Sequence, residues 1–166
     1  MGIIVSDTTP IISLLKINHL NLLEKMFGDV FISEGVFKEL TGNPKYQKET
    51  KQIKNSSFIQ IFPIVNQQAV IDLIVSGGLD LGESEAIVLA KEIKASTLII
   101  DERRGRAVAE KEGLAITGTI GILLEARKKN IISLEDSIIC IDELRKSGIR
   151  IGEAVYQRAI ATLKSF

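Results

Sequence analysis

Aromatic residues are scarce in this chain: no Trp, two Tyr and six Phe among 166 residues. That scarcity argues against sequence-specific reading of RNA by base stacking. There is a single cysteine, Cys140, set in an apolar helical stretch. A disulfide framework is thereby excluded and a buried thiol expected. The only histidine, His19, falls at a helix start without a partner in sequence, so a solvated side chain is expected. No Ser-His-Asp or Cys-His nucleophile set can be assembled around it. Neither charge is in excess, with 21 Lys+Arg against 21 Asp+Glu. No global basic field advertises nucleic-acid binding, and any such binding must come from local patches. No apolar run approaches the roughly 18 residues that would span a bilayer. Met1-Gly2 leads straight into a strand with no basic leader. The expectation is a cytoplasmic protein without a membrane partner.

What is present is an alternation of strands and helices. Hydrophobic residues make up 45% of the chain, enough for a core without staples in a chain of this length. Apolar strands are expected at Gly2–Val5, Val30–Ile32, Phe58–Phe62, Thr97–Ile100 and Leu114–Ile116. Helices are expected at Ile11–Lys16, Glu34–Leu40 (capped by Ser33), within Thr41–Asn55, and at Gln67–Val75, Glu83–Lys94 and Arg104–Glu112. Three more follow at Thr119–Lys129, Ser133–Arg145 and Gly152–Lys164. This order implies a three-layer α/β/α fold with a central parallel sheet of about five strands, plus C-terminal helices. A single domain, residues 1–166, is expected, with a core over 1–130 and a helical appendage over 131–166.

Two strands end alike, in an apolar run followed by an acid, a turn and a helix. These are Ile3–Val5 before Asp7 and Thr97–Ile100 before Asp101. In parallel sheets ligands bind beyond the carboxyl ends of the strands. If the two strands are neighbours, the acids lie about one strand spacing, roughly 5 Å, apart. Carboxylates that close repel unless a cation intervenes, and Mg²⁺ or Mn²⁺ prefers such hard oxygen ligands. Glu39 and Glu85 are further acids that could face the same crevice. Each residue also has a plainer role. Asp7 and Asp101 could cap the helices that follow them, and Glu83 and Glu85 could complement a helix dipole. The residues alone leave both roles open.

Several segments together resemble the PIN domain, a metal-dependent nuclease fold of many prokaryotic toxin–antitoxin toxins and RNA-processing enzymes. They are Val5-Ser6-Asp7-Thr8-Thr9-Pro10-Ile11-Ile12-Ser13-Leu14, Val36-Phe37-Lys38-Glu39-Leu40 and Leu81-Gly82-Glu83-Ser84-Glu85-Ala86-Ile87. Leu98-Ile99-Ile100-Asp101-Glu102-Arg103-Arg104-Gly105-Arg106 and Thr117-Gly118-Thr119-Ile120-Gly121-Ile122-Leu123-Leu124 complete the match. More narrowly, the chain is similar to a branch of predicted nucleic-acid-binding PIN-like proteins. The resemblance implies catalytic acids at Asp7, Glu39, Glu85 and Asp101, with Asp7, Asp101 and Glu85 as metal ligands. Glu85 is favoured over Glu83 because the small residues Ala86 and Ala90 follow it. Thr8 and Arg106 are the implied substrate contacts, and Arg103, placed directly after Asp101, could hold a phosphate at the rim. The implied activity is Mg²⁺- or Mn²⁺-dependent hydrolysis of RNA by a toxin-like protein with a small antitoxin partner, dimeric as PIN proteins often are.

A PIN-like module that binds nucleic acid or protein without cutting is the alternative. An α/β phosphotransfer domain fits less well. The first strand lacks the Asp-x-Asp of aspartyl phosphatases, and no lysine ends a later strand as in receivers.

Overall fold

A computed structural model describes residues 2–166. Five strands form one parallel sheet: β1 (Ile4–Ser6), β2 (Val30–Ser33), β3 (Ile59–Phe62), β4 (Thr97–Ile99) and β5 (Ile116–Thr117). Their spatial order is β3-β2-β1-β4-β5. The chain therefore builds outward from β1 to β3, then returns across the sheet to place β4 on the other side of β1. The gap between β1 and β4 is the topological switch point, where parallel α/β sheets bind their ligands.

Ten helices among the described residues connect and cover these strands. They are α1 (Thr8–Lys16), α2 (Asn21–Phe27), α3 (Glu34–Thr41), α4 (Gln47–Asn55), α5 (Gln67–Gly77), α6 (Leu81–Glu92), α7 (Arg103–Lys111), α8 (Thr119–Lys128), α9 (Leu134–Lys146) and α10 (Glu153–Ser165). Strand alternation sends successive side chains to opposite faces. Ile4, Val30, Ile32 and Ile99 enter a core shared with α1, α2 and α8 to α10. Val5, Leu98 and Ile100 enter a second core on the other face, filled from α6 by Ala86, Ile87, Leu89 and Ala90. Two cores separated by a sheet make the expected three layers.

The C-terminal helices are part of the first core. Cys140, Ile141 and Leu144 from α9, and Ala159 and Leu163 from α10, are buried in it. The Cys140 thiol is buried, as expected, and burial pushes its pKa up to about 11. His19 is half-buried rather than solvated: its Nδ1 lies 2.6 Å from the Ile17 carbonyl oxygen, and the ring touches the Cys140 sulfur. No helix among the described residues is long and apolar enough to cross a membrane.

Candidate active site

Asp7 follows the last residue of β1 and stands at the N-cap position of α1 with extended backbone. Its amide donates to the Ile99 carbonyl at 2.9 Å, which ties the end of β1 to β4. The side chain makes no capping hydrogen bond. It is nevertheless buried, with only 2% of its surface exposed. Burial pushes the carboxyl pKa up to about 7. The nearby Thr8 amide pulls it down, and the negative charges of Asp80, Glu83 and Glu39 push it up again. Asp7 is thus a buried acid at an N-cap position, without a side-chain capping bond and with three other acids near it.

Glu39 lies in the last turn of α3. Its carboxylate accepts a hydrogen bond from the Thr8 hydroxyl at 2.7 Å. A Cβ on Gly82 would stand 2.6 Å from Glu39 Oε1, so this carboxylate lies against the first turn of α6. The absence of a side chain at Gly82 is what lets α3 bring its acid there. Thr8, expected to touch substrate, spends its hydroxyl proton on Glu39 and keeps its acceptor lone pairs.

The first turn of α6 supplies Glu83. Asp80 caps this helix by accepting from the Glu83 amide at 2.8 Å, and the Glu83 carboxylate accepts from the Asp80 amide at 3.1 Å. This reciprocal capping box fixes both acids. Glu83 is 7% exposed, and its Oε1 would lie 2.9 Å from a Cβ on Gly105 in α7. Burial raises its pKa; the Asp80 amide opposes this, and Asp80, Glu102 and Glu39 reinforce it.

Glu85 is directed elsewhere. Its Oε2 accepts from the Gly35 amide at 2.8 Å, satisfying an unpaired donor in the first turn of α3. Gly35 permits that approach, since any Cβ there would collide with the Glu85 carboxylate. The acids acting on Asp7 are Asp80, Glu83 and Glu39, without Glu85. Asp80 is the acid that motif reading passed over. Its signal was the sequence Asp80-Leu81-Gly82-Glu83, an acid three residues ahead of a glutamate at a helix start.

Asp101 follows β4, and β4 does pair with β1. The register sets Ser6 opposite Ile99, so one step on it is Ile100 that stands opposite Asp7. Asp101 lies one residue further and turns toward β5. Both of its oxygens accept from Thr119, from the amide at 2.7 Å and the hydroxyl at 2.6 Å, which caps α8. Arg106 donates to the Ile100 carbonyl at 2.9 Å. Arg103, at the start of α7, is exposed.

Of the acids Asp7, Glu39, Asp80 and Glu83, the first and last are buried and the other two exposed, and none has a Lys or Arg partner among the described residues. The ion pairs among the described residues lie elsewhere: Lys91–Glu112, Lys129–Glu125 and Arg145–Glu153. No group of three or more Asp, Glu, His or Cys side chains among the described residues is placed to hold a metal ion. An all-oxygen donor set with uncompensated charge suits an ion that binds through one or two carboxylates and keeps its waters.

A parallel sheet in the order 3-2-1-4-5, with acids gathered at its switch point, defines a three-layer α/β protein whose ligand crevice lies beyond the carboxyl ends of β1 and β4. A PIN-domain family model matches residues 3–165, and the chain belongs to the PIN-domain family. No curated protein and no solved structure gives a significant match. Membership gives the chain a nuclease-type fold.

Proposed function

We infer that this protein is a divalent-metal-dependent ribonuclease that hydrolyses RNA phosphodiester bonds. The observation carrying this reading is Asp7: a buried, uncapped carboxylate at the switch point, surrounded by acids and paired with no cation. Asp7, with Glu39 or Glu83 as the second carboxylate, would hold Mg²⁺ or Mn²⁺ and leave the ion most of its waters, with Glu83 in the role the resemblance gave to Glu85. A bound divalent ion would supply a water of lowered pKa and charge to offset the attacked phosphate.

The chain's own groups do the rest. Asp7, its carboxyl pKa pushed up to about 7 by burial, would have to give up its proton to hold a cation. Thr8 holds the Glu39 carboxylate in one orientation. The capping box holds Glu83 on a rigid helix start. Asp101 retains lone pairs beyond those used by Thr119 and completes the negative rim.

The toxin-like role, with a small antitoxin protein as partner and a homodimeric state in the cytoplasm, is proposed from the family resemblance. Exposed apolar side chains at Ile61 and Phe62 of the edge strand β3, and at Ile71 and Val75 of α5, offer surface for such a protein or a second copy.

Purified protein is expected to cleave single-stranded RNA only with Mg²⁺ or Mn²⁺, and Asp7→Asn is expected to reduce cleavage to background. Equal cleavage by the variant would assign the activity to a contaminant. A second reading, a PIN-like binding module that does not cut, is favoured by one observation. Glu85 and Asp101 are both engaged in structural hydrogen bonds. Calorimetric titration separates the two readings, because absence of Mn²⁺ binding at millimolar concentration would select the non-cutting module.

A further inference from the structure

On the β5 side of the acids around Asp7 lies a cavity of about 880 Å³. One wall is the turn before α8 with that helix's first residues; another is the start of α7. The third is the loop between α9 and α10, Gly148 to Gly152. Thr9, two residues past Asp7, and Asp101 also line it, so the cavity opens toward the carboxyl ends of β1 and β4. Its size falls in the range of ligand-sized sites, about 300–1,000 Å³.

Three arginines line this cavity: Arg103, Arg106 and Arg150. None of them forms an ion pair among the described residues. Arg106 commits one guanidinium nitrogen to the Ile100 carbonyl and keeps its other donors. A Cβ on Gly118 would stand 2.6 Å from Asp101 and 3.1 Å from Arg106, so the bare backbone there keeps both in place. Two acids, Asp101 and Glu102, also line the cavity, so the three arginines leave its lining with an excess of one positive charge. The rest of the lining is mainly aliphatic or glycine, and no aromatic residue is part of it. Guanidinium groups match phosphate oxygens in geometry, whereas base stacking needs aromatic faces.

We propose that this cleft is the track of the RNA strand leading away from the cleaved phosphate, with Arg150 on the α9–α10 loop as a backbone-phosphate contact. The proposal rests on the ribonuclease reading and extends it to a residue 49 positions beyond Asp101, in the loop between the last two helices. It assigns the strand to phosphate recognition, so cleavage carries little base preference.

The test uses Asp7→Asn as a non-cleaving background and a labelled single-stranded oligouridylate, with binding read by fluorescence anisotropy over a salt series. Adding Arg150→Glu is expected to weaken binding about tenfold and to lower the salt-dependence slope by about 0.7, the share of one single-strand phosphate contact. Arg158→Glu, the same charge change at an exposed α10 position outside the cavity, is expected to leave both nearly unchanged. Unaltered binding by the Arg150 variant, or an equal loss with Arg158→Glu, overturns the proposal. Absence of oligouridylate binding at low salt overturns it as well. Cleavage measured in parallel keeps the two ideas apart. If Arg150→Glu in the otherwise native chain cuts as well as the native protein while Asp7→Asn does not cut, the track fails and the nuclease stands. If the native protein binds through Arg150 yet never cuts, the nuclease reading fails instead.

Discussion

At the scale of single residues, the burial of Asp7 carries an energetic cost. Its carboxyl pKa rises from 3.8 to about 7 on folding. A raised acid pKa means that the folded state prefers the proton, so this group favours folding below about pH 4. That contribution is lost as pH climbs through 7. Asp7→Asn removes the penalty. The variant is expected to be more stable than the native protein at pH 8, by an order of 1–4 kcal/mol, with the difference closing near pH 4. Thermal melts across that range check it; a variant less stable at pH 8 would contradict the burial argument. Added Mn²⁺ should raise the melting temperature of the native protein and not of the variant.

Glu83 and Glu85 make a second pair of contrasting expectations. Glu83→Gln should impair cleavage while stability changes little. Glu85→Gln should cost stability, about 1–3 kcal/mol through the weakened bond to Gly35, while the purified folded variant still cuts. The strand–acid–turn pattern made Asp7 legible from sequence. The choice between the two glutamates was not, because α6 is buried at every position from Gly82 to Ala90. A helix covered on all sides has no apolar stripe from which to read direction. Two residues apart on a helix differ by about 200°, so one of the pair had to face away.

At the scale of elements, close packing around α6 organises the site. Gly82 admits the Glu39 carboxylate from α3, and Gly105 lets α7 approach Glu83 and Ile100. Gly105→Ala places a Cβ 2.6 Å from Ile100 Cδ1 and 2.9 Å from Glu83 Oε1. Alanine is the better helix former by about 1 kcal/mol, but overpacking here costs about 1–3 kcal/mol. A lower melting temperature is expected, together with weaker Mn²⁺ binding as Glu83 is displaced; calorimetry reads the second effect independently of the first. Most elements could be placed from sequence because apolar runs and caps mark them, as Ser33 marks α3. Helix α2 had no such mark. Its N-cap position is occupied by Leu20 in helical conformation, and the helix is only 7 residues long. The capping of α8 by Asp101 was equally silent, since the two partners lie 18 residues apart.

At the scale of the whole molecule, the three C-terminal helices bear on stability as well as on the proposed RNA track. The sequence treated residues 131–166 as an appendage, because a run of helices after the last strand has no pattern that fixes where it docks. In the structure α9 and α10 pack on each other and on α8, and Ile141, Leu144 and Leu163 are fully buried in the core beneath the sheet. Burying three such side chains contributes about 1.5–3 kcal/mol each, a sum comparable to the 5–15 kcal/mol that typically holds a domain together. A chain ending at Asn130 would expose the matching face of α1, α2 and α8. It is expected to lack a cooperative thermal transition by circular dichroism, and Leu163→Ala in the full chain is expected to lose about 2–5 kcal/mol. A truncated chain that melts cooperatively near the native temperature would show that residues 2–130 form a core on their own. The C-terminal helices would then be free to serve only the cleft, and Arg150 could be studied by removing them altogether. The depth at which Leu144 and Leu163 are buried predicts the opposite: the helix pair that carries Arg150 folds with the sheet as one unit, so substitution of the exposed arginine rather than deletion is the change the fold will tolerate.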